Sequence, residues 1–239
     1  MKILAVDTAT KSCSVAVADP GNLLAEITFV SRETHSRHLM EMVRSALDMA
    51  RLSVADLDGF AVTIGPGTFT GLRIGISSVK GMAAATEKPV AGISSLEALA
   101  RQIPDTPYTV CPILDARRGE VYSAAYRYEK GTLARIGPEQ VGSLEDILSG
   151  CREDRIFVGT GIGVYRQTIQ SMLGNHAHFA VDNANDVRAS TVAAIGIERL
   201  TSNCADDLAS LIPNYIRKSD AEINLENKLK AAGNGGPVV

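Results

Sequence analysis

The stretch Phe60-Ala61-Val62-Thr63-Ile64-Gly65-Pro66-Gly67-Thr68-Phe69-Thr70-Gly71-Leu72-Arg73 decides how the chain is read. Five residues, mostly β-branched or aromatic, run into three glycines within seven positions, the composition of a strand that turns directly into a helix. A tight turn of this kind exposes backbone N–H groups at a helix N-terminus, where an anion can be cradled. No Gly-Lys-Ser/Thr closes the loop, so it is not a Walker A phosphate loop. A purely structural turn fits the same residues.

Upstream, residues 2 to 8, 13 to 18 and 23 to 30 are short β-rich runs, and Asp19-Pro20-Gly21-Asn22 is a turn signal between the second and third. From Ser36 to Arg51, Leu39, Met42, Val43, Ala46, Leu47 and Ala50 fall on one helical face, with Thr34 a candidate cap. Downstream, helix signals cover Gly71 to Ala85. A strand at Pro89 to Gly92 follows, then a helix opened by Ser94 and Glu97 as a capping box. The order βββαβαβα matches one lobe of the ribonuclease-H-like fold of actin, sugar kinases and Hsp70, an α/β class.

After Pro104 to Pro107 a second three-strand set is expected at Val110 to Asp115, Glu120 to Tyr128 and Thr132 to Ile136. A helix near Leu144, a strand at Ile156 to Gly159, a helix at Val164 to Leu173, a strand at His178 to Val181 and a helix at Thr191 to Leu200 complete a degenerate duplication. The expected division is a first lobe at 1–103, a second at 104–215 whose last helix, about 190–202, is a candidate to pack on the first lobe, and a polar, flexible tail at 216–239.

With 239 residues, 45% hydrophobic and 21% charged, the chain can build a substantial core. A net charge of -3 and a pI near 5.8 supply no basic field for holding RNA directly. Cys13, Cys111, Cys151 and Cys204 are far apart, which suggests neither a zinc knuckle nor a disulfide framework, and they read as reduced thiols. The N-terminus lacks a signal-peptide core and no run approaches a membrane span, so a cytoplasmic location and no membrane partner are expected.

Asp7, with Thr8 after it, ends the first strand where a nucleotide-binding lobe would hold hydrated Mg²⁺ and approach a phosphate, but the site lacks the glycine that would let backbone approach a phosphate closely, which favours a polar turn at a strand end. Asp7, Thr8, Gly65, Pro66 and Gly67 are thus the candidate nucleotide or anion residues. Gly75, Ser78, Gly81 and Ala85 form a small-residue stripe that admits a second helix backbone, from a partner or from the chain itself. The pairs His35/His38 and His176/His178 lack a third metal ligand at a telling spacing and read as solvated or capping histidines. Asp115-Ala116-Arg117-Arg118-Gly119-Glu120 is placed like a second phosphate loop, with arginines where glycines would be wanted. A surface hairpin is the alternative, and arginines that meet an acidic partner are a third reading.

Taken together, ILAVDTAT, GPGTFTGLRIGISSVKGMA, KPVAGISSLEALA and ILDARRGEVY, over roughly residues 1 to 128, with PNYIRKSDAE further on, resemble the bacterial TsaB (YeaZ) family. The resemblance implies a non-catalytic scaffold. Such a subunit binds a TsaD-type catalytic subunit, which puts threonylcarbamoyl on N6 of adenosine 37 in tRNAs reading ANN codons, and a TsaE-type ATPase joins the pair. It also implies homodimers through the same surface, tRNA contact only within the complex, no tightly bound cofactor, and ATP or ADP as a candidate at the complex junction. The binding helices would be about 36 to 51 and 71 to 85, which makes His35, His38, Leu39, Met42, Val43, Leu72, Gly75, Ser78, Val79 and Met82 the candidate interface.

Where the TsaD family carries V-N-H-L-E-x-H, this chain reads Ile93-Ser94-Ser95-Leu96-Glu97-Ala98-Leu99, so both histidine positions are lost and no metal site or catalytic residue is expected. Where that family begins E-T-S-C-D, this chain has Asp7-Thr8-Ala9-Thr10-Lys11, an acid replaced by a base. An ATP-dependent phosphotransferase or ATPase of the actin-like superfamily and a metallopeptidase-like protein are the competing readings.

Overall fold

The computed structural model describes residues 1–30 and 35–217. Thr34, the end of PNYIRKSDAE from Lys218 and all but the start of the tail expected at 216–239 lie outside the described residues.

The first sheet is built from β1 (Ile3–Asp7), β2 (Ser12–Asp19), β3 (Asn22–Val30), β4 (Gly59–Gly65) and β5 (Val90–Ser94), in the order β3-β2-β1-β4-β5. The three N-terminal strands are antiparallel neighbours, whereas β4 lies parallel to β1 and β5 parallel to β4. Helices α1 (Leu39–Ala50) and α2 (Phe69–Thr86) provide the crossovers that parallel pairing requires, and α3 (Ser95–Arg101) follows β5. The chain therefore has the ribonuclease-H-like, actin-like order. Successive strand residues take opposite faces. Leu4, Val6, Val15, Val17, Phe60 and Val62 pack on α1 and α2, while Ile3, Ala5, Ala16, Ala61 and Ala91 face the other way.

The second sheet holds β6 (Thr109–Arg117), β7 (Glu120–Ser123), β8 (Tyr126–Glu129), β9 (Thr132–Arg135), β10 (Gln140–Ser143), β11 (Arg155–Val158) and β12 (Ala177–Phe179). Its order is β10-β7-β6-β11-β12, with β8 joined to β6 and β9. Sequence reading expected one strand over Glu120 to Tyr128. Instead the chain changes partner at Ala124 and Ala125, because β7 pairs with β6 and β10 whereas β8 pairs with the start of β6 and with β9. Strand β10 carried no sequence signal, since Gln-Val-Gly-Ser becomes a strand only against the open edge of β7.

Helices α4 (Leu144–Leu148) and α5 (Ile162–Leu173) cover the outer face of the second sheet, and α3 and α6 (Ala189–Thr201) lie between the sheets. Close approach of α6 explains the small residues on the inner face of the first sheet: a Cβ on Gly196 would sit 2.6 Å from the Ala61 Cβ. The Glu26 carboxylate fixes the start of α6, accepting from the Arg188 guanidinium at 2.6 Å, the Ser190 backbone N–H at 3.0 Å and the Ser190 hydroxyl at 2.9 Å. Ser14 Oγ accepts from the Ala189 N–H at 2.9 Å. Residues 204–217 then run back over the first lobe: the Asp206 N–H bonds the Val90 carbonyl at 2.9 Å and Leu211 is buried in the core beneath α2.

The capping box at α3 forms by half. Ser94 Oγ accepts from the Leu96 and Glu97 N–H groups, but the Glu97 carboxylate turns to Arg199 at 2.6 Å instead of closing back. Cys13 and Cys111 are buried, Cys151 is half-buried, Cys204 is exposed and all four are free.

Candidate functional site

At the β4–α2 junction the Gly65–Pro66 peptide is cis and Thr68 caps α2, its Oγ1 accepting from the Gly71 N–H at 3.3 Å. What lies against this turn is the chain's own Thr8-Ala9 segment. The Thr68 N–H donates to the Ala9 carbonyl at 2.7 Å, and Thr8 Oγ1 donates to the Gly71 carbonyl at 2.8 Å. An added Cβ would stand 2.4 Å from the Ala9 oxygen at Gly67, 2.0 Å from the Thr8 oxygen at Gly71 and 2.3 Å from Thr8 Oγ1 at Gly75. These glycines at i, i+4 and i+8 make room for another strand's end.

This packing sets the surroundings of Asp7, Thr8, Gly65, Pro66 and Gly67, the candidate anion residues. Carbonyl oxygens, which repel an anion, are pressed against the helix start, and the Asn214 carbonyl lies 3.0 Å from where a Gly65 Cβ would be. Gly65 has φ +117, which glycine adopts readily. Asp7 is fully buried. Its Oδ1 accepts from Thr63 Oγ1 at 2.7 Å and from the Ala9 N–H at 3.2 Å, while Oδ2 has no partner. Burial, with a smaller push from the Asp186 charge, outweighs those hydrogen bonds and raises the carboxyl from 3.8 to about 7. Burial and the Asp7 charge likewise push the Cys13 thiol up to about 12.

The residues expected on a partner face divide sharply. Leu39, Met42, Val43, Leu72, Gly75, Val79 and Met82 are buried, and their side chains belong to the chain's own core. The periodicity that selected them is that of an inward helix face, so they do not form an outward patch. The small-residue stripe is split for the same reason, with Gly75 facing Thr8 and Gly81 open to solvent. His35, His38 and Ser78 stay partly accessible. His35 Nε2 pairs with the Thr10 carbonyl at 2.7 Å, and the His38 ring meets Phe29 edge-on at 5.3 Å.

The outward side of the same two helices carries a groove of about 370 Å³ lined by Ser36, Leu39, Met40, Arg73, Ile74, Ser77 and Ser78. Met40 is 52% exposed and sits in the wall of this groove. At the start of α2, Phe69 stacks on Tyr215 at 4.9 Å, the Arg73 guanidinium lies 3.8 Å over the Phe69 ring, and Arg73 Nε donates to Tyr215 Oη at 3.0 Å. Periodicity reading missed Met40, Phe69, Arg73, Ile74 and Tyr215. The available signal was large apolar or aromatic residues out of phase with the core stripe.

In the second lobe the counterpart turn is exposed. Arg117 and Arg118 have φ +63 and +56, and the Asp115 carboxylate accepts from the Arg117 N–H at 2.8 Å. Ser95 and Leu99, at the lost histidine positions, are fully buried. Among the described residues no group of three or more His, Cys, Asp or Glu is placed to hold a metal. His176 and His178 were expected to be solvated or capping. His176 is exposed and His178 partly so, and both approach Asp154 Oδ1, at 3.0 and 3.4 Å, while His178 stacks on Tyr108. Gly159-Thr160-Gly161, which sequence reading passed over, is packed on β6: the Ile113 carbonyl lies 2.4 Å from a Gly159 Cβ.

A family model described as "TsaD: tRNA N6-adenosine threonylcarbamoyltransferase" matches residues 22–225. The chain is 33% identical over 225 residues to the Bacillus subtilis tRNA threonylcarbamoyladenosine biosynthesis protein TsaB, covering 93% of this chain and 96% of that protein. It is similar to the structure of YeaZ from Pseudomonas aeruginosa, with a TM-score of 0.75, 28% identity and coverage of 90% of this chain and 99% of the other. Component A of the (R)-2-hydroxyglutaryl-CoA dehydratase of Acidaminococcus fermentans shares the fold, with a TM-score of 0.53, 13% identity and coverage of 84% and 99%.

Proposed function

The chain belongs to the TsaB (YeaZ) family of tRNA threonylcarbamoyladenosine biosynthesis proteins, and on that premise we propose that it acts as a non-catalytic scaffold, docking a TsaD-type catalytic subunit in the α1–α2 groove. The observation that carries this reading is the exposure of Met40 beside Arg73 and Ile74 on one continuous outward face. Flexible apolar side chains, aromatics and arginine are the residue types that dominate interface energetics. The inward faces of α1 and α2 are packed into the core, so the face is rigid before a partner arrives and little ordering is lost on docking.

The scaffold reading also draws on the turn before α2, whose glycines are packed against the chain's own Thr8 and Ala9. In this proposal the TsaE-type ATPase joins the pair and ATP or ADP sits at the complex junction. The same groove pairs two copies of the chain when the partner is absent. tRNA is reached through the partner, in keeping with the net charge of -3, and the setting is the cytoplasm. No helix among the described residues is long and apolar enough to cross a membrane.

Two outward substitutions test the docking face. Met40→Asp and Ser78→Trp should leave the melting temperature unchanged and weaken binding of a purified TsaD-type subunit by about tenfold or more in calorimetry, the loss typical of an interface anchor. Threonylcarbamoylation in a reconstituted mixture should fall in parallel. Unaltered affinity in both variants would remove the groove from the interface.

A further inference from the structure

A second cavity, of about 250 Å³, opens where α3, the end of α6 and the β8–β9 hairpin meet. Its lining is Glu97 and Arg101 from α3, Arg199 from α6, Tyr126 from β8, and Leu133 and Arg135 from β9. Three guanidinium groups thus face a space that has a single carboxylate in its wall. Their other partners lie outside that wall or engage only part of each group. Arg101 pairs with Glu198, Arg199 meets Glu97 at 2.6 Å and the Gly92 carbonyl at 2.7 Å, and Arg135 reaches Glu139 only at 3.5 Å. A guanidinium carries five N–H donors, so each keeps donors to spare. Arg135, half exposed and loosely held, keeps the most.

Tyr126 adds an independent observation. The residue is 3% exposed, yet its hydroxyl has no hydrogen-bond partner. Ser94 is beside it, but the Ser94 hydroxyl donates to Glu139 and its oxygen already accepts from the Leu96 and Glu97 N–H groups, which makes it a poor partner for the phenol. Burial and the charges of Glu139 and Glu97 hold the phenol protonated, which leaves an unused O–H donor in the wall of a guanidinium-lined cavity.

We propose that this cavity binds a small oxyanion, a molecule bearing a phosphate or carboxylate group, held by Arg135 and Arg101 and by the hydroxyl of Tyr126. Planar N–H forks matched to paired oxygens recognise both groups. The volume is below the roughly 300 Å³ at which drug-sized sites begin, which limits the occupant to a compact anion. Its ligands come from both lobes, α3 on one side and the β8–β9 hairpin on the other, so the bound anion ties the lobes together.

Calorimetry on the full chain tests this, with inorganic pyrophosphate in one arm and succinate in the other to separate the phosphate from the carboxylate class. At least one probe should bind at millimolar concentration or below. Arg135→Ala should weaken that binding by about tenfold, as expected for loss of a charge-assisted pair. Tyr126→Phe should weaken it by about fivefold, yet leave the thermal stability of the free chain equal or higher, because the hydroxyl it removes is unpaired. Silence from both probes overturns the proposal, as does binding that survives both substitutions undiminished.

Discussion

The turn after β1 and the turn after β6 occupy corresponding places in the two lobes and have been put to opposite uses. In the first lobe, Asp7 to Thr10 is buried and pressed onto the glycine face of α2. In the second, Arg117, Arg118 and Gly119 are exposed and wound through three consecutive positive φ angles. One duplicated element has become a packing joint and the other a solvent-facing hairpin. The contrast shows that glycines at a strand-to-helix junction report close approach of something, and that a stretch of the chain's own backbone satisfies them as well as a phosphate does.

The largest expected effect comes from breaking the packing joint. Gly75→Leu places a side chain where Thr8 Oγ1 already lies 2.3 Å from the Cβ position, and should destabilise the chain by about 3 kcal/mol or more. Chemical denaturation would reveal it as an early midpoint, or as no folded protein at all. A stable Gly75→Leu chain would mean that the joint yields. This substitution probes folding, whereas Ser78→Trp probes docking, because Gly75 packs on Thr8 while Ser78, one turn further on, borders the groove.

A smaller effect is expected at Asp7. Its carboxyl is raised from 3.8 to about 7, so the neutral form favours folding. That contribution is complete below pH 4 or so and is lost as the pH climbs from there to about 7, where the folded carboxyl finally ionises. Asp7→Asn escapes the loss. Its advantage over the parent should grow across that window and level off above it at no more than about 4 kcal/mol, the ceiling set by roughly three pKa units. Stability measured against pH for both chains checks this. Parallel curves would mean that Asp7 ionises freely and that the joint is wetter than its geometry indicates.

The smallest effect belongs to the exposed turn. Arg117→Gly relieves a left-handed backbone at a solvent-facing position and should stabilise by about 0.5–1 kcal/mol, visible as a modest rise in melting temperature. A loss of stability there would show that the arginine side chain makes a contact that outweighs the strain.

Much of the first lobe was legible in the chain. The strands, α1, α2 and the turn into α2 follow from period-two and period-3.6 patterns and from Gly65, Gly67 and Gly71. The outward groove was legible only as two helices. Leu39, Val43, Leu72 and Val79 stood out because they are periodic, and they are periodic because they are core. Met40, Phe69 and Arg73 lie out of phase with that core stripe, so a search for the apolar helix face passes over them. In the second lobe the break at Ala124 and Ala125 and the existence of β10 depend on which strand lies alongside, a long-range fact that local propensity does not carry.

The amino-acid sequence by itself determined the order of elements in the first lobe, the absence of the paired histidines and the family likeness, because these reside in residue identity and local spacing. Tertiary structure alone decided that Thr8 and Ala9 occupy the glycine face of α2, that Asp7 is sealed with one oxygen unpartnered, and that three arginines and a buried tyrosine share one cavity. Each of these joins residues distant along the chain, such as Tyr126 and Arg199. Their encounter is fixed by how the layers stack, which no stretch of the sequence contains.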